Sequence, residues 1–377
     1  MWRATTARSR LGIVGSFYYR ANPGVRRMAE ALAAHGYAVE VVSQTEPDAP
    51  AHETVAGVQV HRVGPPRYRG ASLGRYVTTY ARFFVQAAAT LTRLHARAPF
   101  AAVQVFSMPE ALTLAALWPR LQGTPIIYYA GDLTLDVYTS KFGARGGRAV
   151  AALLRLQERV GLGLADRVIG VHEEYRRRLL ARGVPAERIW VLVNLPDDTR
   201  FAPAVREAAR AGARPDEFVL VYHGSLVRRY GVDLLVRAVA RLRERIPALR
   251  LRIYGDGDLR PHLVDLVAEL ALADRVTLSD GYVALEAIPT LVAAADVGVA
   301  PMRRDEFTDT VLPTKLMEYL ALGMPAIVSR TRTVAEYFTE REVEYCVPDS
   351  VESLANAIER LWANPARRAA LEAGARA

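Results

Sequence analysis

The sequence predicts an α/β chain built from two Rossmann-like units, and three observations carry that prediction. Short apolar runs alternate with segments of helical period from Leu11 onward. The alternation breaks in a polar stretch at residues 197–216 and restarts at Phe218. Strand after strand then runs out into a glycine-bearing turn, the place where open parallel sheets put their ligands. A chain of 377 residues has room for two separate cores. The expected division is residues 1–200, a linker at 201–216, and residues 217–377.

An apolar fraction of 51% with 24% charged residues belongs to a globular chain. The net charge of +9 comes overwhelmingly from Arg spread along the sequence and not gathered in a tail. That distribution suits anionic substrates or an anionic membrane surface, equally matches an Arg-rich genome, and gives no reason to expect nucleic acid. The single cysteine, Cys346, excludes an intrachain disulfide framework and a multi-cysteine metal site, and fits a reducing compartment. The apolar run at 11–15 is too short for a signal peptide. No run reaches the roughly 18 apolar residues of a membrane span, since the longest candidate, 83–94, is interrupted by Gln86 and Arg93. A cytoplasmic location is expected, with the inner membrane surface as the alternative.

The first unit opens β-α-β: a strand at 11–15, a helix begun by Asn22 and Pro23 with Val25, Met28, Ala29 and Leu32 on one face, and a strand at 38–43. Gly24, at the helix start, can let backbone approach a ligand. Residues 58–63 read as a further strand. A long helix at 74–97 carries Tyr76, Tyr80, Phe83, Phe84 and Leu91 among Arg75, Arg82, Arg93 and Arg97. Inward-packed aromatics with Arg outside are the expected arrangement, and a helix lying on a bilayer is the alternative. Strands follow at 102–106 and 125–129, separated by a helix at 109–121. Asp132 stands at the second strand's end. A helix at 148–164 leads to a strand at 165–172, whose end places His172 and Glu173 where they can meet a sugar or acceptor, although a lone histidine is commonly structural.

After the polar stretch, 218–223 is a strand and 231–246 a helix. Between them Gly224 and Ser225 form a turn followed by Arg228 and Arg229. A glycine turn at a strand's end with two guanidinium groups suits a diphosphate, because backbone approaches closely and Arg forms forked hydrogen bonds. The strand at 249–254 meets a turn at Gly255, and the strand at 275–278 meets another at Gly281, Tyr282 and Val283. Residues 305–330 then read as loop, helix, turn and buried strand. Pro313 suits the helix's first turn, and Leu316, Met317 and Leu320 recur at helical spacing. Its N-terminus, at Thr314 and Lys315, is a seat for phosphate, and Glu318 lies one turn below on the same face, in reach of ribose hydroxyls.

The run LPTKLMEYLALGMP at 312–325 resembles the donor-site helix of retaining GT-B glycosyltransferases of family 4. The turns named above and the segment from Ser107 to Gly143 resemble the same family in the same order, so the resemblance covers nearly all of residues 11–377. It implies the GT-B fold, two facing Rossmann-like domains with the donor in the cleft. It also implies transfer of a sugar from a nucleotide diphosphate sugar, UDP- or GDP-linked, to a hydroxyl of a glycan, lipid-linked or small-molecule acceptor, without a metal or other cofactor. In the family's Glu-x7-Glu pattern Glu318 matches the second acid, on the ribose. The first position is Thr310, with Asp309 adjacent. The turn at 281–283 matches the loop that holds the nucleotide base. The family histidine that ends the strand before Asp132 is Gly131 here. Two other readings stay open: a sugar-nucleotide epimerase of the same fold, and a nucleotide-binding partner subunit that has lost catalysis. The oligomeric state is left open.

Overall fold

The computed structural model describes residues 9–68, 73–136, 138, 147–211 and 216–376. The chain divides into two compact units, Met1–Asn194 and Leu195–Ala377. The sequence assigns the choice of sugar and acceptor to the loops at 17–24, 64–75 and 132–147, and of these residues 69–72, 137 and 139–146 lie outside the described residues.

The first unit runs β1 (Arg10–Val14), α1 (Pro23–Ala34), β2 (Ala38–Gln44), β3 (His52–Val55), β4 (Val58–Val63), α2 (Leu73–Arg97), β5 (Ala102–Phe106), a 3-10 turn (Glu110–Ala116), α3 (Leu117–Leu121), β6 (Ile126–Ala130), α4 (Arg148–Leu164), β7 (Arg167–Gly170), α5 (Glu173–Ala181) and β8 (Ile189–Val191). The strand order is β3-β4-β2-β1-β5-β6-β7-β8, parallel except for the β3–β4 edge pair. Successive strand residues feed opposite cores: Ile13 and Val41 bury on one face, Val14 and Val42 on the other. The Asn22 side chain caps α1 by accepting the Val25 N–H at 3.1 Å, with Pro23 at the first helical position. The helix expected at 109–121 is instead a 3-10 turn followed by the short α3. Pro119 cannot sit deep in a helix, and restarting at Leu117 places it in a first turn. Helix α2 buries Phe83, Ala87 and Leu91 and exposes Tyr76, Val77 and Val85. Its aromatics are therefore divided between core and surface.

The second unit runs α6 (Pro203–Arg210), β9 (Phe218–His223), a 3-10 turn (Arg228–Tyr230), α7 (Val232–Leu242), β10 (Leu249–Tyr254), α8 (Arg260–Glu269), β11 (Val276–Leu278), α9 (Ile288–Ala293), β12 (Val297–Ala300), a 3-10 turn (Thr308–Thr310), α10 (Thr314–Ala321), β13 (Ala326–Ser329), α11 (Arg332–Tyr337), β14 (Glu344–Cys346), α12 (Val351–Ala363) and α13 (Pro365–Ala375). Its strands are parallel, in the order β11-β10-β9-β12-β13-β14. Leu220, Val297 and Ile327 bury on one face, and Val219, Val221 and Val328 on the other. No helix among the described residues is long and apolar enough to cross a membrane.

The stretch read from sequence as a linker, 201–216, falls inside the second unit. Its helix α6 packs Arg206 into the fold, where the guanidinium donates to the carbonyls of Ala293 at 3.3 Å and Ala295 at 2.7 Å. Those carbonyls close α9, so Arg206 satisfies a helix end that is otherwise short of donors. Burial pulls the Arg206 pKa down to about 10. Replacing Arg206 by Met is expected to destabilise the protein by about 1–3 kcal/mol, the cost of leaving buried carbonyls unsatisfied. Urea unfolding of the full chain measures this, and an unchanged midpoint would show that α6 is merely draped on the surface.

Candidate active site

In the second unit the strand order reverses between β9 and β12, and the carboxyl ends flanking such a reversal are where open α/β sheets bind ligands. Three turns meet there. Gly224, exposed after β9, has φ +115°, a region open to glycine. Behind it Gly255 has φ +147°, and a Cβ there would lie 2.0 Å from the Gly224 carbonyl oxygen. The Gly224 N–H donates to Tyr254 O and the Leu226 N–H to Asp256 O, each at 2.9 Å. Gly255 thus holds the β9 turn in place from behind. The third turn joins through Ser279, whose hydroxyl accepts the Gly255 N–H at 3.0 Å. Beyond it Gly281 has open space around it, Tyr282 is exposed and Val283 is half-buried. On the other side, the Arg303 N–H donates to Arg229 O at 2.9 Å, tying the β9 loop to the β12 loop.

Helix α10 starts beside these turns. Pro313 is its N-cap and supplies no side-chain hydrogen bond, and Thr314 is exposed at the first helical position. Lys315 is buried. Its Nζ lies 3.3 Å from the Tyr222 hydroxyl and 4.6 Å from the centroids of both the Tyr222 and Tyr230 rings. Burial lowers its pKa to about 8, against the opposing pull of Glu318. One turn on, Glu318 Oε2 approaches His223 Nε2 at 3.1 Å. The pair lacks the alignment of a hydrogen bond, and both atoms are buried without a hydrogen-bond partner. Two buried polar atoms left in this state at a strand end are what a polar ligand completes. His223 is the residue that the sequence reading passed over. Its signal was the last position of β9, directly before the glycine turn.

The remaining candidates of this unit divide. Arg228 is exposed at the mouth of the loop, whereas the Arg229 guanidinium lies over the Phe307 ring at 4.7 Å. Asp309, adjacent to the first position of the Glu-x7-Glu pattern, accepts the Arg332 N–H at 2.9 Å and so serves the start of α11. Thr310 is buried, its hydroxyl donating to Phe307 O at 2.7 Å. Both side chains are therefore engaged in folding this loop.

In the first unit the candidates gather at the ends of β6 and β7. The Asp132 N–H donates to Ser107 Oγ at 3.1 Å, and the Tyr175 hydroxyl donates to Asp132 Oδ1 at 3.4 Å. His172, buried at the N-cap of α5, meets the Tyr175 ring edge-on at 4.9 Å. Tyr175 is thus the link between two residues the sequence had proposed separately. A Cβ at Gly131 would lie 3.1 Å from the Tyr129 ring and 3.5 Å from Ser107 Oγ. At Gly24, in the first turn of α1, the nearest heavy atom to an added Cβ would be Asn22 Oδ1 at 3.6 Å, so the fold itself does not demand glycine there.

Comparison with known proteins gives this geometry a family. Residues 206–377 match the family of glycosyl transferases group 1, and residues 21–195 match the glycosyl transferase 4-like domain. The chain is 29% identical to alpha-D-kanosaminyltransferase of Streptomyces kanamyceticus over 59% of this chain, which is about half (53%) of that protein. It is 27% identical to D-inositol 3-phosphate glycosyltransferase of Rhodococcus opacus (strain B4), over 94% of this chain and 80% of that one. Among solved structures, sucrose-phosphate synthase from Thermosynechococcus elongatus superposes with a TM-score of 0.77 at 23% identity, covering 98% of this chain and 93% of that chain. Other matched structures of the fold were solved with UDP, UDP-glucose or ADP. With both of its units matched and the fold shared throughout, the chain belongs to the group 1 glycosyltransferases of GT-B fold.

Proposed function

We propose that this glycosyltransferase moves a sugar from a UDP- or GDP-linked donor to an acceptor hydroxyl, with retention of anomeric configuration and without a metal. The observation that carries the reading is the pairing of the exposed Gly224 turn with the buried, unsatisfied Glu318–His223 atoms at the β9/β12 reversal. Glu318 accepts ribose hydroxyls, the turn at Gly281–Val283 frames the base, and the Gly224–Arg229 loop with the start of α10 at Thr314 receives the diphosphate. As the bond from the sugar's anomeric carbon to the diphosphate oxygen breaks, its electron pair stays on that oxygen. The acceptor oxygen forms the new bond on the same face, and its proton passes to the departing phosphate, so no protein base is required. Positive groups already in place, and not reoriented during the reaction, stabilise the developing charge.

The first unit is assigned the acceptor, a glycan, lipid-linked or small-molecule hydroxyl, and the Asp132–Tyr175–His172 cluster is its candidate for polar contacts to a sugar. A helix that exposes Tyr76 and Val85 among arginines, as α2 does, suits peripheral contact with a bilayer when the acceptor is lipid-linked. Gly131 leaves the sugar without the family's imidazole, and a partner that binds nucleotide without transferring remains the second reading for that reason alone.

Glu318→Ala is expected to weaken binding of the preferred nucleotide sugar by about 1.5–3 kcal/mol while the protein stays folded. Unchanged affinity by calorimetry would remove α10 from the donor site. Arg228→Ala is expected to lower kcat more than it raises KM for the donor, because leaving-group charge grows toward the transition state. Steady-state kinetics that match the wild type would take this side chain out of the mechanism. Gly131→His must displace the Tyr129 ring, and its effect separates the two readings. In an enzyme it alters donor turnover in either direction, whereas in a non-catalytic partner transfer is absent before and after the change. NMR of the product's anomeric proton tests retention directly.

A further inference from the structure

We propose that Lys315, reaching up through the second unit beneath the Gly224 turn, is the buried cation that takes the charge of the donor's departing diphosphate. The inference rests on the nucleotide-sugar reading and adds to the exposed Arg228 and the half-buried Arg229 a cation held out of water. The Lys315 ammonium has one hydrogen-bond partner among the described residues, the Tyr222 hydroxyl, and two aromatic faces. No carboxylate lies within ion-pair distance of it among the described residues. Two rings and a phenol offset part of an ammonium's desolvation, but they do not neutralise it. The Gly224 turn stands over it: a Cβ added there would lie 3.4 Å from Lys315 Cε and 3.6 Å from Nζ. The site therefore holds a dry positive charge covered by an exposed, side-chain-free turn, and a phosphate oxygen on that turn would supply the missing counter-charge.

Residue choice points the same way. The chain carries two lysines among its 49 Lys and Arg residues, and one of them is Lys315. A single ammonium on a thin stem fits between two tyrosine rings, where a planar guanidinium would need a wider slot. Lysine also titrates when buried, and here its pKa has come down to about 8. The groups facing it are Tyr222 of β9, Tyr230 of the following turn, Glu318 on its own helix and, through Glu318, His223. Burial holds the Tyr222 phenol far above its usual range, so it stays neutral throughout.

The sign of the pH effect follows. Between the folded pKa near 8 and lysine's ordinary value of 10.5, the unfolded chain binds the proton and the folded chain does not, so the stability of the ligand-free protein rises with pH through that window. Affinity for a diphosphate falls over the same window, because the ammonium it needs is being lost.

The test compares the wild type with Lys315→Met, which keeps the stem and removes the charge, using UDP and GDP as probes and uridine and guanosine as phosphate-free controls. The expected result is a ligand-free melting temperature equal to or above the wild type at pH 7, with nucleoside diphosphate affinity roughly ten- to hundredfold weaker and nucleoside binding unchanged. If Lys315→Met binds the diphosphate within threefold of the wild type, the inference is overturned. Should that variant fold poorly, the wild type decides alone: its diphosphate affinity must decline as pH rises through about 8, and a flat profile from pH 7 to 10 overturns the role equally. A wild type that binds neither diphosphate overturns the nucleotide-sugar reading itself, and this inference with it.

Discussion

The proposed binding edge of the second unit depends on one backbone contact, the approach of Gly255 to the Gly224 carbonyl. No side chain fits between them, since a Cβ on Gly255 would come within 2.0 Å of that oxygen. Because the β10 turn lies flat against the β9 turn, Gly224 is held at φ +115° with its outer face open. Gly257 repeats the constraint one step further, where a Cβ would meet Leu226 O at 2.4 Å. A turn clamped in this way does not reorganise when a charged ligand arrives, and a fixed array of dipoles and charges is what stabilises a leaving group. On the opposite side Gly231 performs the same service toward the Pro301 carbonyl, at 1.9 Å from a would-be Cβ. Gly224 thus offers its surface, while Gly255, Gly257 and Gly231 hold the loop around it still.

Much of this was legible beforehand, for reasons that can be named. A strand buried on both faces reads as an apolar run, as β9 does, and a half-buried strand reads as an alternation, as β10 and β4 do; all three match their expected bounds. Capping chemistry marks α1 through Asn22 and Pro23, whereas Pro313, expected in the first turn of α10, stands one position earlier, at its N-cap. What was not legible depends on partners distant in sequence. Asp309 serves the Arg332 N–H 23 residues away, and Arg206 serves carbonyls 87 and 89 residues away. An acidic residue beside a motif position, or an Arg in a polar stretch, carries no mark of such a partner. The small β3–β4 edge pair went unseen because His52–Val55 has only four residues and no apolar run.

Burial of Glu318 Oε2 beside His223 also changes what the proposed ribose site requires. A carboxylate exposed to water would leave that water at a cost when the sugar binds. Here Oε2 is already desolvated and lacks a hydrogen-bond partner, so the cost has been met in folding and a ribose hydroxyl at the proposed site would restore a lost hydrogen bond. His223 gives the carboxylate a fixed neighbour, and its ring packs edge-on against Tyr319 at 5.3 Å. Tyr319 in turn closes over Gly298 of β12, where a Cβ would lie 2.4 Å from the ring. The position of Glu318 is therefore traceable through two aromatic contacts to a glycine in a central strand.

The cations around the same turns are distinguished by shape and solvation more than by charge. Arg229 lays its flat guanidinium on Phe307, a contact suited to a planar, weakly hydrated ion, and stays half-buried at the loop's flank. Arg228 remains exposed, where salt and water screen it. Lys315 alone of the three is held in a dry setting, and the interaction of two charges rises several-fold when water leaves the space around them. If all three meet the same diphosphate, the contribution of the exposed Arg228 weakens as ionic strength rises, whereas that of the buried Lys315 is screened much less. That difference in screening follows from where the chain puts each group, not from how many positive charges it carries.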